Sequence, residues 1–510
     1  MTYPTIVDDI DKHLRNITSK LFGNRFMPDQ TLYEYLIEFL LVFVSAKCDD
    51  NGTYQTGKMK FHTNSSERLK YFIEPRMGLR RFIFFDKARK NGILRIDEEA
   101  YKEMLKIVLK NTEDFPNNEG KQDIIYAIQD LLHGYAVVIK KRSWCAQTLL
   151  PACPEMVFCD AMPNHKRRKG LSEELGKDLS TFDDYSKTVD NSFDFNKRNF
   201  MARGGELYYL HILQALENHE DDKNKLEELL SNLLGKSNNQ LSKICNFIQN
   251  SWEKYLGFEK KYFIEPMSIS FIPDDAYIKC GKLTVEELIN FLSCELPSIT
   301  RIELLAKGII FQIMRMMSWR IDSALAINNK WIIDMKGSST DTIKKIASKS
   351  FKKIEDSFLT ALNKTGRDIN INENEFMSKL NKAKKSSIEI FRAKGKELQC
   401  IIPSKGPFER FSLSVDIIRF LVLALIPPNQ KMTLNMFLKK LYKNYGIVIG
   451  PEEYRESIED DDLSEPSLAN SFAENLNSFQ SFLKATGFLR ELSDATSIVF
   501  NPYNNVLEGQ

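Results

Sequence analysis

Apolar residues recur at helical spacing over most of the chain. Leu32, Leu36, Phe39, Leu40 and Phe43 form one stripe, with Asp29 placed to cap that helix. Arg80-Arg81-Phe82-Ile83-Phe84-Phe85 fits a strand or a buried helix, because periodicity alone does not separate them. Helical spacing returns from Ile124 to Val138, followed by Lys140-Lys141-Arg142. The pattern lapses from Pro163 to Lys197, where polar and charged residues read as a long loop or linker. It resumes at Glu206 to Leu216, at Leu226 to Leu234, and at Arg301 to Ile321. Thr284 and Glu287 read as a capping-box pair opening a helix from Val285 to Leu292. From Asp341 to Lys396 the helices turn basic, with Lys344, Lys345, Lys349, Lys352 and Lys353 on one segment. Pro403-Ser404-Lys405-Gly406-Pro407 then reads as a boundary.

The clearest pattern lies beyond it. Ser414 to Leu425 is helical and is stopped by Pro427 and Pro428. Thr433 is placed to cap a second helix, with Leu434, Phe437, Leu438, Leu441 and Tyr445 on its apolar face and Gly446 at its end. Leu468, Phe472, Leu476, Phe479 and Leu483 mark a third, closed by Gly487. Two β-prone runs, Phe488 to Leu492 and Ser497 to Phe500, flank a polar turn and predict a hairpin. This order resembles a winged-helix module over about the last fifth of the chain. The resemblance implies a third helix in the major groove and a flanking hairpin. Asn477, Ser478, Gln480, Ser481 and Lys484 would then face DNA, with Arg490 beginning the wing. The basic stretch from Lys344 to Lys396, with Lys344 and Lys345 at its start, could follow a phosphate backbone or be a solvated helix face. The chain departs from the pattern between the second and third helices, where Glu452, Glu453, Glu456, Glu459, Asp460, Asp461, Asp462 and Glu465 would repel DNA. The alternative is a winged helix that docks on protein.

These elements predict a mainly α, multi-domain chain: a helical N-terminal and central body with minor β, and a C-terminal winged helix. The expected divisions are 1–160, mostly helical; 161–200, a polar linker; 201–335, central and helical; 336–402, basic and helical; and 403–510, winged-helix-like. At 510 residues the chain can bury several cores. Its net charge of +2 means that any nucleic-acid surface is a local patch. The longest apolar run, Phe39 to Val44, is far too short for a membrane span, and the N-terminus has no signal-peptide pattern. Eight scattered cysteines do not form a disulfide framework, so a reducing cytoplasm is the expected compartment.

Few stretches carry catalytic chemistry. Trp331-Ile332-Ile333-Asp334-Met335-Lys336 could place a carboxylate and a lysine beside a divalent cation, with Asp322 as a second carboxylate, as in a metal-dependent nuclease. Otherwise it is an edge strand with a solvated ion pair. Cys145, Cys153, Cys159 and His165 have zinc-ligand chemistry at irregular spacing, against the commoner reading of buried free cysteines. Gly235-Lys236-Ser237 lacks the earlier glycine of a phosphate loop, since Leu230 stands there. Arg203-Gly204-Gly205-Glu206 could bring a helix N-terminus to an anion or simply make a tight turn, and His211 reads as a packed core residue. No cofactor is called for.

Arg142-Ser143-Trp144-Cys145-Ala146-Gln147, Arg198 to Tyr209, Tyr445 to Pro451, and Ser493-Asp494 with Asn501-Pro502 together resemble accessory proteins of bacterial anti-phage defence islands. That resemblance implies a cytoplasmic subunit working beside other proteins of one system. The leading expectation is a non-enzymatic DNA-binding or scaffolding subunit. The alternatives are a protein-only adaptor and a metal-dependent nuclease.

Overall fold

The computed structural model describes residues 2–507 except 24–25, 27–29, 49–53, 64–67, 75, 89–103, 113–117, 139–147, 158–161, 164–192, 195–203, 237–238, 257–265, 274–276, 336–340, 370–371, 458–465 and 494–495. The chain is mainly helical, with small sheets, and divides into two compact units. The smaller comprises Asp29–Glu206 and Leu230–Ile269; the larger comprises Met1–Pro28, Leu207–Leu229 and Ser270–Gln510. Among the described residues no helix is long and apolar enough to cross a membrane.

In the smaller unit helix α1 (Leu32–Val44) is almost wholly buried. Its cap is Thr31, whose amide donates to the Glu34 carboxylate at 2.6 Å; Asp29, expected in that role, lies outside the described residues. Strands β1 (Ala46–Cys48), β2 (Tyr54–Thr56), β3 (Lys70–Phe72) and β4 (Met267–Ser268) form an antiparallel sheet in the order β2-β1-β3-β4. The ambiguous run at Arg80 lies in a helix, α2 (Met77–Ala88). Leu79, Phe82 and Ile83 are buried, and so are Arg80 and Arg81 between them, so this is the buried helix of the two readings. Helix α3 (Asn118–His133) follows.

Helix α4 (Gly204–Ala215) shows what the Gly-Gly pair does. The Gly205 amide donates to the buried Glu38 carboxylate at 2.7 Å, so the anion at this helix N-terminus is the chain's own. A Cβ on Gly205 would lie 2.3 Å from the Tyr35 carbonyl oxygen and 2.6 Å from the Phe39 amide. Those are backbone atoms and cannot swing aside. Gly205→Ala is therefore expected to lower stability by roughly 1–3 kcal/mol or more. An unchanged melting temperature would contradict the close approach. Helix α5 (Asn239–Leu256) carries Trp252, against which Gly78 of α2 packs.

The larger unit is built on helices α6 (Ile278–Leu292) and α7 (Ser298–Leu325). Thr284 and Glu287 do not start a helix. They lie inside α6 and are buried, because their side chains have polar partners in the core rather than at a helix end. Strand β5 (Trp331–Ile332) precedes the basic helix α8 (Asp341–Arg367), then α9 (Glu373–Lys385) and α10 (Ile388–Glu397). Strands β6 (Ile401–Ile402) and β7 (Arg410–Phe411) pair antiparallel, so Pro403 to Pro407 is part of a hairpin loop. Helix α11 (Val415–Leu425) lies so close to α7 that a Cβ on Gly308 would come 2.2 Å from the Phe420 ring.

The last elements follow in order. Strand β8 (Lys431–Thr433) leads into helix α12 (Leu434–Tyr445). The Thr433 hydroxyl accepts from the Met436 amide at 3.3 Å, and Gly446 ends the helix at φ +70°, as the sequence predicts. Strand β9 (Ile447–Val448) runs parallel to β5. The acidic stretch opens as a short helix, α13 (Pro451–Ser457); its later carboxylates, from Glu459 to Glu465, lie outside the described residues. Helix α14 (Pro466–Ala485) and the hairpin β10 (Leu489–Ser493) and β11 (Thr496–Phe500) complete the fold. Strand β8 pairs with β11, giving the sheet order β8-β11-β10.

Candidate nucleic-acid interface

Helix α14 has two unlike sides. Phe472, Phe479 and Leu483 are buried, with Phe472 packed beside Ile343 of α8 and Val448 of β9. Asn475, also buried, fixes the helix by hydrogen bonds. Its side-chain amide donates to the Ile333 and Ile449 carbonyls, both at 2.9 Å, and its oxygen accepts from the Met335 amide at 2.9 Å. A polar residue on an apolar stripe was the available signal for this clamp. The other side presents Asn477, Ser481 and Lys484 to solvent, with Gln480 half-buried beside them.

The structure brings these four together but does not add Arg490 to their face. Lys484 pairs with Glu491 of β10 at 2.8 Å. Successive strand residues point to opposite faces, so Arg490 points away from that contact. Its guanidinium lies 4.6 Å from the centroid of the Phe500 ring. Of the basic residues on α8, Lys344 lies 3.5 Å from Asp341 across an exposed pair. Lys345 is exposed, as are Lys349, Lys352 and Lys353, and none of these four has an ion pair among the described residues.

The nuclease candidates have other partners. Both oxygens of Asp322 accept from Asn329, at 3.0 Å from its amide and 2.8 Å from its side chain. Burial outweighs those bonds and holds the Asp322 carboxyl up to about 7. Asp334 is fully buried, and Arg410 donates to it at 2.5 Å, so the ion pair is not the solvated one expected of an edge strand. Burial raises the Asp334 carboxyl, against the opposing pull of Arg410. Asp322 and Asp334 share no hydrogen-bond partner among the described residues, and Lys336 lies outside them. Cys153 sits in an apolar cluster with Met156 and Ile248. A hydrogen bond to Cys245 and then burial raise its thiol pKa, which keeps it protonated. Cys145, Cys159 and His165 lie outside the described residues, and no group of three or more metal-ligating side chains occurs among those described.

A buried polar cluster in the larger unit escaped the sequence reading. Glu287 of α6 accepts from Arg315 at 2.8 Å, Gln312 at 2.8 Å, Asn444 at 3.2 Å and Tyr445 at 2.7 Å. Arg315 also donates to the Thr284 hydroxyl at 2.8 Å and lies 4.3 Å from the Tyr445 ring centroid. Burial disfavours the Arg315 cation, but the charge and hydrogen bond of Glu287, with smaller contributions from Tyr445 and Cys280, together outweigh it and raise the guanidinium pKa. His211 lies in the same cluster, with Nδ1 donating to the Tyr208 carbonyl at 2.8 Å and Nε2 3.0 Å from the Thr284 hydroxyl. Burial and then the Arg315 charge press its pKa down to about 3, so it is neutral. Each of these groups is buried in the core, and their arrangement joins α4, α6, α7 and α12. Comparison with protein-family models, curated proteins and solved structures gave no match.

Proposed function

We propose that the chain is a non-enzymatic DNA-binding or scaffolding subunit whose residues from Val415 to Phe500 form a winged helix. The observation that carries this reading is the pairing of β8 with β11, which joins α11, α12 and α14 to the hairpin through one three-stranded sheet. Asn477, Gln480 and Ser481 are suited to base edges and Lys484 to a phosphate. The Lys484–Glu491 pair is exposed, and such pairs are worth only about 0–1 kcal/mol, so a phosphate can replace the carboxylate. Lys344, Lys345 and Lys349 supply further positive charge from α8, whose Ile343 packs against Phe472 of α14. The resemblance to accessory proteins of bacterial anti-phage defence islands supports a subunit that works beside other proteins of one cytoplasmic system.

The test is a salt titration of duplex DNA binding by the full chain. Affinity is expected to fall linearly in log–log form, with a slope of about −0.9 for each phosphate contacted. Lys484→Glu is expected to weaken binding to all sequences alike and to reduce that slope by about 1. Absence of binding at low salt would sink the reading. It would leave the protein-only adaptor, which the Lys484–Glu491 pair and the exposed Glu452 and Glu456 favour.

A further inference from the structure

Phe408, in the β6–β7 loop, is 77% exposed. Its φ is +64°, in the left-handed region that bulky residues rarely enter. Its surroundings impose that conformation. Ser348 of α8 donates to the Phe408 carbonyl at 3.2 Å and Arg410 donates to it at 3.3 Å. The next residue, Glu409, is held by Arg392 at 2.8 Å and by Lys396. The backbone is anchored while the ring stands in solvent, and strain of this kind gathers at ligand sites.

The anchor is flanked by positive charge. Lys345 and Lys352 lie three residues before and four after Ser348, hence on its face of α8. Lys405 is exposed in the same loop, and these three lysines have no ion pair among the described residues. A protein partner would need an apolar patch, but beside Phe408 the loop adds only the exposed Pro407 and the half-buried Pro403, while Ser404, Lys405 and Gly406 are polar or small. An isolated ring among free ammonium groups matches a nucleobase between two phosphates, since every base has a stacking face.

We propose that Phe408 stacks on an unpaired base while Lys345 and Lys352 hold neighbouring phosphates, so that the chain favours duplex DNA carrying a single-stranded segment. This deepens the DNA reading above and rests on it. The experiment compares a labelled blunt duplex with the same duplex bearing a single-stranded tail, using the full chain and its Phe408→Ala and Phe408→Trp variants. Phe408→Ala is expected to weaken tailed-DNA binding about tenfold or more and to leave blunt-duplex binding unchanged. Phe408→Trp is expected to keep the tailed affinity. Equal tailed binding by Phe408→Ala and the parent, or equal loss on both DNAs, would overturn the proposal. Binding of neither DNA by the parent would overturn it too and leave Phe408 as a protein contact. Phe408-dependent binding of tailed DNA without blunt-duplex binding would uphold it while removing the winged-helix reading.

Discussion

Glu287→Ala is expected to destabilise the larger unit by roughly 3–5 kcal/mol, a large share of the about 5–15 kcal/mol by which ordinary domains are stable. The carboxylate accepts four hydrogen bonds, and its removal leaves the Arg315 cation buried with its main counter-charge gone. The loss comes chiefly from the group left behind. Replacing both members with apolar residues of similar size, Glu287→Met with Arg315→Met, is therefore expected to recover much of it. Urea denaturation of the parent and the two variants reads both effects. A Glu287→Ala variant as stable as the parent would show that the cluster does not hold the unit together.

Lowering the pH from 7 to 4 is expected to cost stability through two buried histidines. His211 in the larger unit and His62 in the smaller each have a pKa pressed down to about 3, His62 by burial and then the Lys47 charge. Unfolded, each titrates near 6.5. Between those values the unfolded chain binds a proton that the folded chain refuses. The contribution is complete above about pH 6.5 and is lost as the pH falls towards 3, by up to about 1.4 kcal/mol per pH unit for each histidine. Asp322 acts oppositely: its raised pKa favours the fold below about pH 4, and that share is lost as the pH rises through 7. Comparing the pH slope of unfolding free energy in His211→Gln and the parent cancels the Asp322 share. Identical slopes would show that His211 takes up its proton without opening the fold.

What the sequence made legible was local. Thr433 and Gly446 bound α12 because a cap depends on a few adjacent residues. The stripe of α14 was readable because its apolar residues repeat every turn. Thr284 and Glu287 misled because their spacing matches a capping box, whereas their partners His211, Arg315 and Tyr445 come from distant parts of the chain. The run Pro403 to Pro407 looked like a boundary because proline and glycine mark turns between domains and turns within hairpins alike. The separation of Arg490 from Lys484 depends on which strand face meets the helix, and that follows from pairing rather than from composition.

Thr2–Tyr3 pairs antiparallel with Ile272–Pro273. During synthesis Tyr3 cannot meet its partner until Ile272 has left the ribosome, on the order of tens of seconds later at about 5–20 residues per second. Every residue of the smaller unit, Asp29–Glu206 and Leu230–Ile269, is made within that interval. The order of translation therefore lets the inserted unit close first, while the opening segment of the larger unit waits unpaired for a strand not yet made.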